Sequence, residues 1–160
     1  MIRLACLTLI LFYSSFASAF AADSAVTADL PLQQLQPADA LTTLRAIADA
    51  RDLEVIDEHT VRVTDTAEAV DLARMVIEMA ENPTDVAEEI PTRDLTDGSV
   101  IASVRLRHAS VRDVSMSLRK EVGVARIAAN TRLSTVVIRD TAAKVASALD
   151  VIRRMERPQG

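Results

Sequence analysis

Two histidines, His59 and His108, a single cysteine, Cys6, and 23 Asp+Glu are the residues of this 160-residue chain that could carry chemistry, and their placement argues against it. Paired metal ligands recur a few residues apart on one hairpin or helix, whereas His59 falls in a turn and His108 at a strand end, far from it in sequence. The carboxylates are spread over helix faces and a polar connection, where solubility accounts for them better than acid/base work. No G-x-S-x-G, H-E-x-x-H or glycine-rich phosphate loop occurs, and three glycines in all leave little backbone for cradling a phosphate. The expectation is a non-enzymatic protein with no catalytic, metal-ligating or cofactor-binding residue, and no cofactor.

The first residues read as an address. Arg3 supplies a positive start, Leu4 to Phe16 an apolar stretch of 13 residues, and Ala17, Ser18, Ala19 and Ala21 two A-x-A-like cleavage sites. Residues 1–21 are therefore expected to be a signal peptide. A membrane span needs roughly 18 or more apolar residues, and Thr8, Ser14 and Ser15 already dilute this one, so a retained anchor is the alternative. Cys6 lies at the start of the apolar stretch, too early for a lipid-modified cysteine, and the exported chain would hold no disulfide and no thiolate ligand.

The elements that must position everything else come as a duplication. At an offset of 74, Leu30, Leu32, Ala40, Leu44 and Ala48 meet Val104, Leu106, Val114, Leu118 and Val122. One residue inserted in the second copy moves the offset to 75. Thereafter Val61, Val63, Asp65, Thr66, Ala67, Val70, Ile77, Glu81 and Pro83 meet Val136, Ile138, Asp140, Thr141, Ala142, Val145, Ile152, Glu156 and Pro158, with eight of the nine pairs identical. Each copy is close to the size at which a domain is marginal alone, so docking of the copies on one another, or on other subunits, is the expected source of further burial.

In the second copy Val100, Ala102, Val104 and Leu106 alternate with Ile101, Ser103, Arg105 and Arg107, the period of a strand buried on one face. Ser110 is placed to cap a helix carrying Val111, Val114, Leu118 and Val122, and Gly123 to end it. Short strands follow at 125–128 and 134–139 around the turn Asn130, Thr131, Arg132, then a helix from Asp140 or Thr141 stopped by Pro158. The first copy reads the same way, with strands at 30–35, 53–56 and 60–63 and helices at 37–50 and 65–81. Its turn at Asp57, Glu58 and His59 is tighter, which is where the insertion falls. The fold class is α+β: two tandem small βαββα modules, each with two helices on one face of a three-stranded mixed sheet. Residues 22–83 form the first module, 84–99 a polar linker and 100–160 the second. The open sheet face or edge is the expected contact surface, with Arg105, Arg107 and Arg139 as outward polar positions of strands.

Charge divides along the same line. Residues 104–160 carry 12 Lys+Arg against 5 Asp+Glu, a net of +7, and residues 1–103 carry 6 against 18, a net of −12. Opposite signs favour docking of copy one on copy two, within a chain or head to tail between chains; charge then selects orientation while apolar area holds the contact.

Segment 104–158 resembles the short N-domain repeat of bacterial secretins, the outer-membrane channels of type II and type III secretion and type IV pilus systems. The resemblance lies in Val104, Leu106, Ala109 and Val111 leading into a helix that ends at Gly123, in the turn from Ala129 to Thr135, and in Val136, Val137 and Ile138 before Asp140-Thr141. It implies a strand-helix-strand-strand-helix fold and assembly into periplasmic rings. The sequence stops at Gly160, directly after the second copy, so the pore-forming domain is expected on another chain. The implied partners are a secretin pore protein or other secretion-system component, with a possible homo-oligomer and membrane association only through partners. An envelope protein that binds another ligand, such as peptidoglycan or a transporter component, is the alternative. The element order is also similar to the KH module, but Gly123 is followed by Val124, Ala125 and Arg126, without a G-x-x-G clamp. All four aromatic residues lie within the first 20, which leaves no base-stacking platform and excludes nucleic acid as a partner.

Overall fold

In a computed structural model, residues 25–157 are described; the expected signal peptide at 1–21 and the stop at Pro158 lie outside them. Alternation in the first copy produces β1 (Val26–Pro31), followed by α1 (Pro37–Thr43), which widens into a π-helical turn at Leu44–Ala48. Strands β2 (Asp52–Asp57) and β3 (Thr60–Asp65) make a hairpin, and α2 (Ala67–Glu81) closes the copy. Short strands β4 (Thr84–Asp85) and β5 (Thr92–Asp94) come next. The second copy then repeats the order as β6 (Val100–Arg105), α3 (Val111–Ser117) with its π-helical turn Leu118–Val122, β7 (Arg126–Asn130), β8 (Thr135–Asp140) and α4 (Ala142–Met155).

The element starts differ by 74 residues up to the hairpin and by 75 after it, so the duplication seen in the sequence is a duplication of structure. The extra residue sits in the β7–β8 turn, where Ser134 takes a left-handed conformation (φ 52°). Both π-helical turns end on a left-handed residue, Asp49 (φ 56°) and Gly123 (φ 70°). Glycine adopts that conformation without a steric cost and aspartate with a small one. Helix starts use the expected chemistry. Ser110 accepts the Asp113 N–H at 3.1 Å, Thr66 accepts the Ala69 N–H at 3.2 Å, and Pro37 opens α1 with its φ already set.

Three expectations need correction. The first strand occupies Val26–Pro31 and not 30–35, because Leu32 and Leu35 are buried from a loop whose N–H groups are taken by a carboxylate. The stretch at 84–99 is not free of regular structure: β4 and β5 both pair with β6, the first parallel and the second antiparallel. The first sheet is thus three-stranded and antiparallel (β1-β3-β2), and the second is five-stranded and mixed (β4-β6-β8-β7, with β5 also on β6). Finally, β6 is buried on both faces. Ile101 is 0 % exposed and Ser103 3 %, although their side chains point away from the second copy's own helices.

Double burial follows from how the copies stack. Val100, Ala102, Val104, Ile127, Val136 and Ile138 form one core with α3 and α4, whereas Ile101, Ala128 and Val137, on the opposite face of the sheet, belong to the core of the first copy. The layers run sheet, helices, sheet, helices. Helix α1 lies over β7 and α2 over β6 and β8, the same placement that α3 and α4 take on the other side. Ser103 Oγ is buried in the shared layer with no hydrogen-bond partner among the described residues. Removing an unsatisfied hydroxyl is neutral or favourable. Ser103→Ala is therefore expected to leave stability unchanged or raise it by up to about 1 kcal/mol, read by urea unfolding.

Candidate functional site

The face at which the copies meet is where the second copy's basic residues meet the first copy's acidic ones. Arg126 pairs with Asp49, and Arg132 lies 3.8 Å from Asp39 and donates to the Gln34 carbonyl. The Asn130 amide donates to Asp39 at 3.1 Å. Arg139 is the centre of the contact. It is 8 % exposed and donates to the Ile47 carbonyl at 2.7 Å, to Ser99 Oγ at 2.9 Å and to Asp97 at 2.7 Å. Expected as an outward strand residue, Arg139 instead joins helix α1's π-helical turn, the 95–99 turn and β8. Arg107 binds Asp85 on the neighbouring strand, and Arg105 is exposed.

The Ser99 hydroxyl and backbone N–H, then Arg139, hold the Asp97 carboxyl far below the ordinary carboxylate range. Burial pushes Asp140 up, but the Ala125 and Thr141 N–H groups with Lys144 bring it below its ordinary value on balance. A depressed folded-state pKa gives stability that is complete above the unfolded value, about 3.9, and is lost as pH falls through the folded value. The chain is therefore expected to lose stability on acidification below about pH 4. Asp97 is half-exposed, so its share is modest. The gap in melting temperature between the parent and Asp97→Asn should be present at pH 7 and shrink toward pH 2; a gap of constant size would contradict the assignment.

Two carboxylates that the sequence reading placed on solvated helix faces are buried instead. Glu81, 5 % exposed, accepts the N–H groups of Gln33, Gln34 and Leu35 at 2.6, 3.0 and 3.1 Å. Glu156 does the same for Arg107 at 2.9 Å, His108 at 3.2 Å and Ala109 at 2.7 Å. Each closes a nest of backbone donors between the first strand and the first helix of its copy. Their identity in both copies was the signal. The backbone of His108 is held in this nest, and His59 sits in the β2–β3 turn with an N–H donated to Asp57, so the two histidines are not brought together. Among the described residues no three His, Cys, Asp or Glu side chains are grouped as metal ligands, and no helix is long and apolar enough to cross a membrane.

The two outer faces of the stack differ from the inner one. Where the second sheet presents Ile101, Ala128 and Val137, the first sheet presents Thr27, Glu54 and Arg62 at the equivalent positions. Arg62 is flanked there by Asp29 at 2.7 Å and Glu54 at 3.8 Å, and Thr27 bonds Thr64. On the last helix layer, Leu72 and Met75 are replaced by Ser147 and Asp150. Polar outer faces are what terminal units of a stacked repeat need. Apolar surface is left elsewhere: Val26, Val55 and Ile56 on the edges of the first sheet, Met116 on α3, and a cleft of about 650 Å³ between α2 and the 95–97 turn.

Several solved structures are similar to this chain. The chain is similar to secretin N-terminal domains. The N-terminal domain of the secretin XcpQ from Pseudomonas aeruginosa is 14% identical over 82% of this chain and 62% of its own, with a TM-score of 0.37. The type II secretion system secretin GspD of E. coli K12 is 17% identical over 86% of this chain and 26% of its own, with a TM-score of 0.31. Aeromonas hydrophila ExeD is 15% identical over 86% and 29%, with a TM-score of 0.32. The chain thus spans less than two thirds of the XcpQ domain and under a third of the two larger proteins. No protein-family model matches the sequence. No curated protein matches it either.

Proposed function

We propose that this chain is a non-enzymatic, periplasmic protein-interaction unit that serves a secretin-based secretion or pilus system as a split or accessory periplasmic part. One observation carries the reading: within the chain, the open sheet face of one module is buried under the helix layer of the other, the kind of contact that a partner's module would make in turn. Asp97, the most strongly shifted carboxylate, is committed to Ser99 and Arg139 at the wall of the cleft, and the buried Glu81 and Glu156 are committed to backbone N–H groups, which supports a structural role for all three. The leader at 1–21 supports export, and the polar outer faces of the stack direct further contacts to edges and cleft. The partner in this reading is the chain that carries the pore, and any membrane association runs through it.

Pull-down of the purified chain against the pore protein of the same secretion system tests the proposal. Retention of the pore protein, reduced by salt, is expected. A folded chain that captures none of it would move the reading to an envelope protein with another ligand, such as peptidoglycan.

A further inference from the structure

The cleft beside α2 is walled on its other side by the turn that follows β5, a segment with no counterpart beside α4 among the described residues. Its floor is apolar, made by Ala69, Leu72, Met75 and Leu95, all half-buried. Glu68 and Asp94 stand exposed on the rim; Glu68 takes only the Thr96 hydroxyl, and Asp94 has no cationic partner among the described residues. The one arginine at the cleft, Arg139, is already committed to Asp97, Ser99 and the Ile47 carbonyl. An occupant of this cleft has to bring an apolar group with positive charge around it.

The same chain displays such a group. Met116, 52 % exposed, is the most exposed large hydrophobic residue described. Arg112, four residues before it, and Arg119, three after it, line the same surface groove as Met116, and Lys120 follows in the π-helical turn. All three cations are exposed and make no ion pair among the described residues, whereas Arg153 and Arg154 on α4 are paired with Asp150 and Glu121. Methionine is long and unbranched and fits irregular apolar gaps. The arginine and lysine stems can lie along the cleft wall while their heads reach the rim carboxylates.

Knob and cleft cannot meet within one chain. Met116 lines a surface groove with Ile127 and Ala129 of β7, on the side of the second sheet covered by its own helices. The cleft lies at the β5–β6 end of that sheet and on its other side. We propose that the cleft between α2 and the 95–97 turn is a binding site for the Met116 knob of a second copy, with Arg112, Arg119 and Lys120 facing Glu68 and Asp94. The contact is heterologous, so each copy offers one knob and one cleft. It rests on the protein-interaction reading above and specifies one partner for it.

Mixing experiments separate this contact from any symmetric one. In sedimentation velocity at low salt the parent chain is expected to self-associate with rising concentration and to revert toward monomer as salt is raised. Met116→Glu, which keeps the cleft, and Leu72→Glu, which keeps the knob, should each lose at least about tenfold in self-association, equivalent to 1.4 kcal/mol. Mixed in equal amounts they should form a two-chain complex and nothing larger. Because Leu72 is half-buried, Asp94→Lys serves as a second cleft variant, and circular dichroism confirms folding of all three. A parent that stays monomeric throughout, variants that associate like the parent, or a mixture that yields no complex would each overturn the inference. A monomeric parent that still captures the pore protein would overturn this contact and leave the proposed function standing; a self-associating chain that captures nothing would do the reverse.

Discussion

Glu156→Gln should cost the folded chain about 2–4 kcal/mol, since a buried charged acceptor shared by several donors is worth more than an ordinary hydrogen bond. Three consecutive N–H groups, those of Arg107, His108 and Ala109, converge on this carboxylate, which is almost wholly buried. Glutamine keeps the length but replaces one oxygen with an NH₂ that can only donate toward donors already present. The loop then either leaves N–H groups unmet or opens to water, and α3 loses the support at its entry. Glu81→Gln should cost less, about 1–2 kcal/mol, because Glu81 takes all three N–H groups of its loop on one oxygen, Oε1, which the glutamine carbonyl can replace without the charge. Urea unfolding followed by far-ultraviolet circular dichroism reads both. A change below about 0.5 kcal/mol, the size of an ordinary surface substitution, would show that the nest is not closed in solution.

The second large effect is expected at Arg139. Arg139→Met retains most of the stem's packing and removes a guanidinium that binds the Ile47 carbonyl, Ser99 and Asp97 together. Hydrogen bonds to a charged group contribute about 1.5–3 kcal/mol each. Much of that is recovered here, because Asp97 and Ser99 regain water and Asp97 is half-exposed. A loss of about 2–3 kcal/mol is the expected balance, with the buried Ile47 carbonyl as the group left unmet. The interface should loosen before either copy does. Amide exchange of β6 and β8 should accelerate relative to that of β3, which lies in the first sheet and takes no part in the contact. Equal acceleration in both sheets would mean that Arg139 supports the fold as a whole and not the junction.

Much of this architecture was legible in the chain. The offset of 74 changing to 75 predicts two equivalent sets of elements and locates the extra residue in the second hairpin turn, where it is found. Gly123 and Ser110 mark the ends of a helix because their chemistry is local. What the periodicity could not reveal is burial supplied by another module. Ile101, Ser103 and Arg139 alternate with core residues and so read as an outward face, yet a helix layer from the first copy covers them. A clue was available in the comparison of copies, since Ile101, Ala128 and Val137 replace Thr27, Glu54 and Arg62. The charge asymmetry did anticipate which copy would be basic at the junction. Glu81 and Glu156 were overlooked for a different reason: a glutamate near a helix end looks solvated unless its repetition in both copies is given weight. Strands β4 and β5 are too short and too polar to show a period, and β6 recruits them through backbone pairing.

The same physics accounts for the polar outer faces of the described stack. Each further turn of the pattern would need an apolar sheet face or an apolar helix layer to continue it. The first sheet instead offers Asp29, Glu54 and Arg62, and α4 offers Ser147 and Asp150. Apolar residues that remain exposed lie at the flanks, and contact with other proteins is expected there.

Methyl-methyl Overhauser contacts across the junction are the most direct test of the stacked arrangement. Ile101 and Val137 should show contacts to side chains of α1, α2 and the turn at Leu44–Ala48, together with slow exchange of the β6 and β8 amides. If Ile101 and Val137 see only their own strands and water, with the two copies tumbling apart, the stacked interface does not exist.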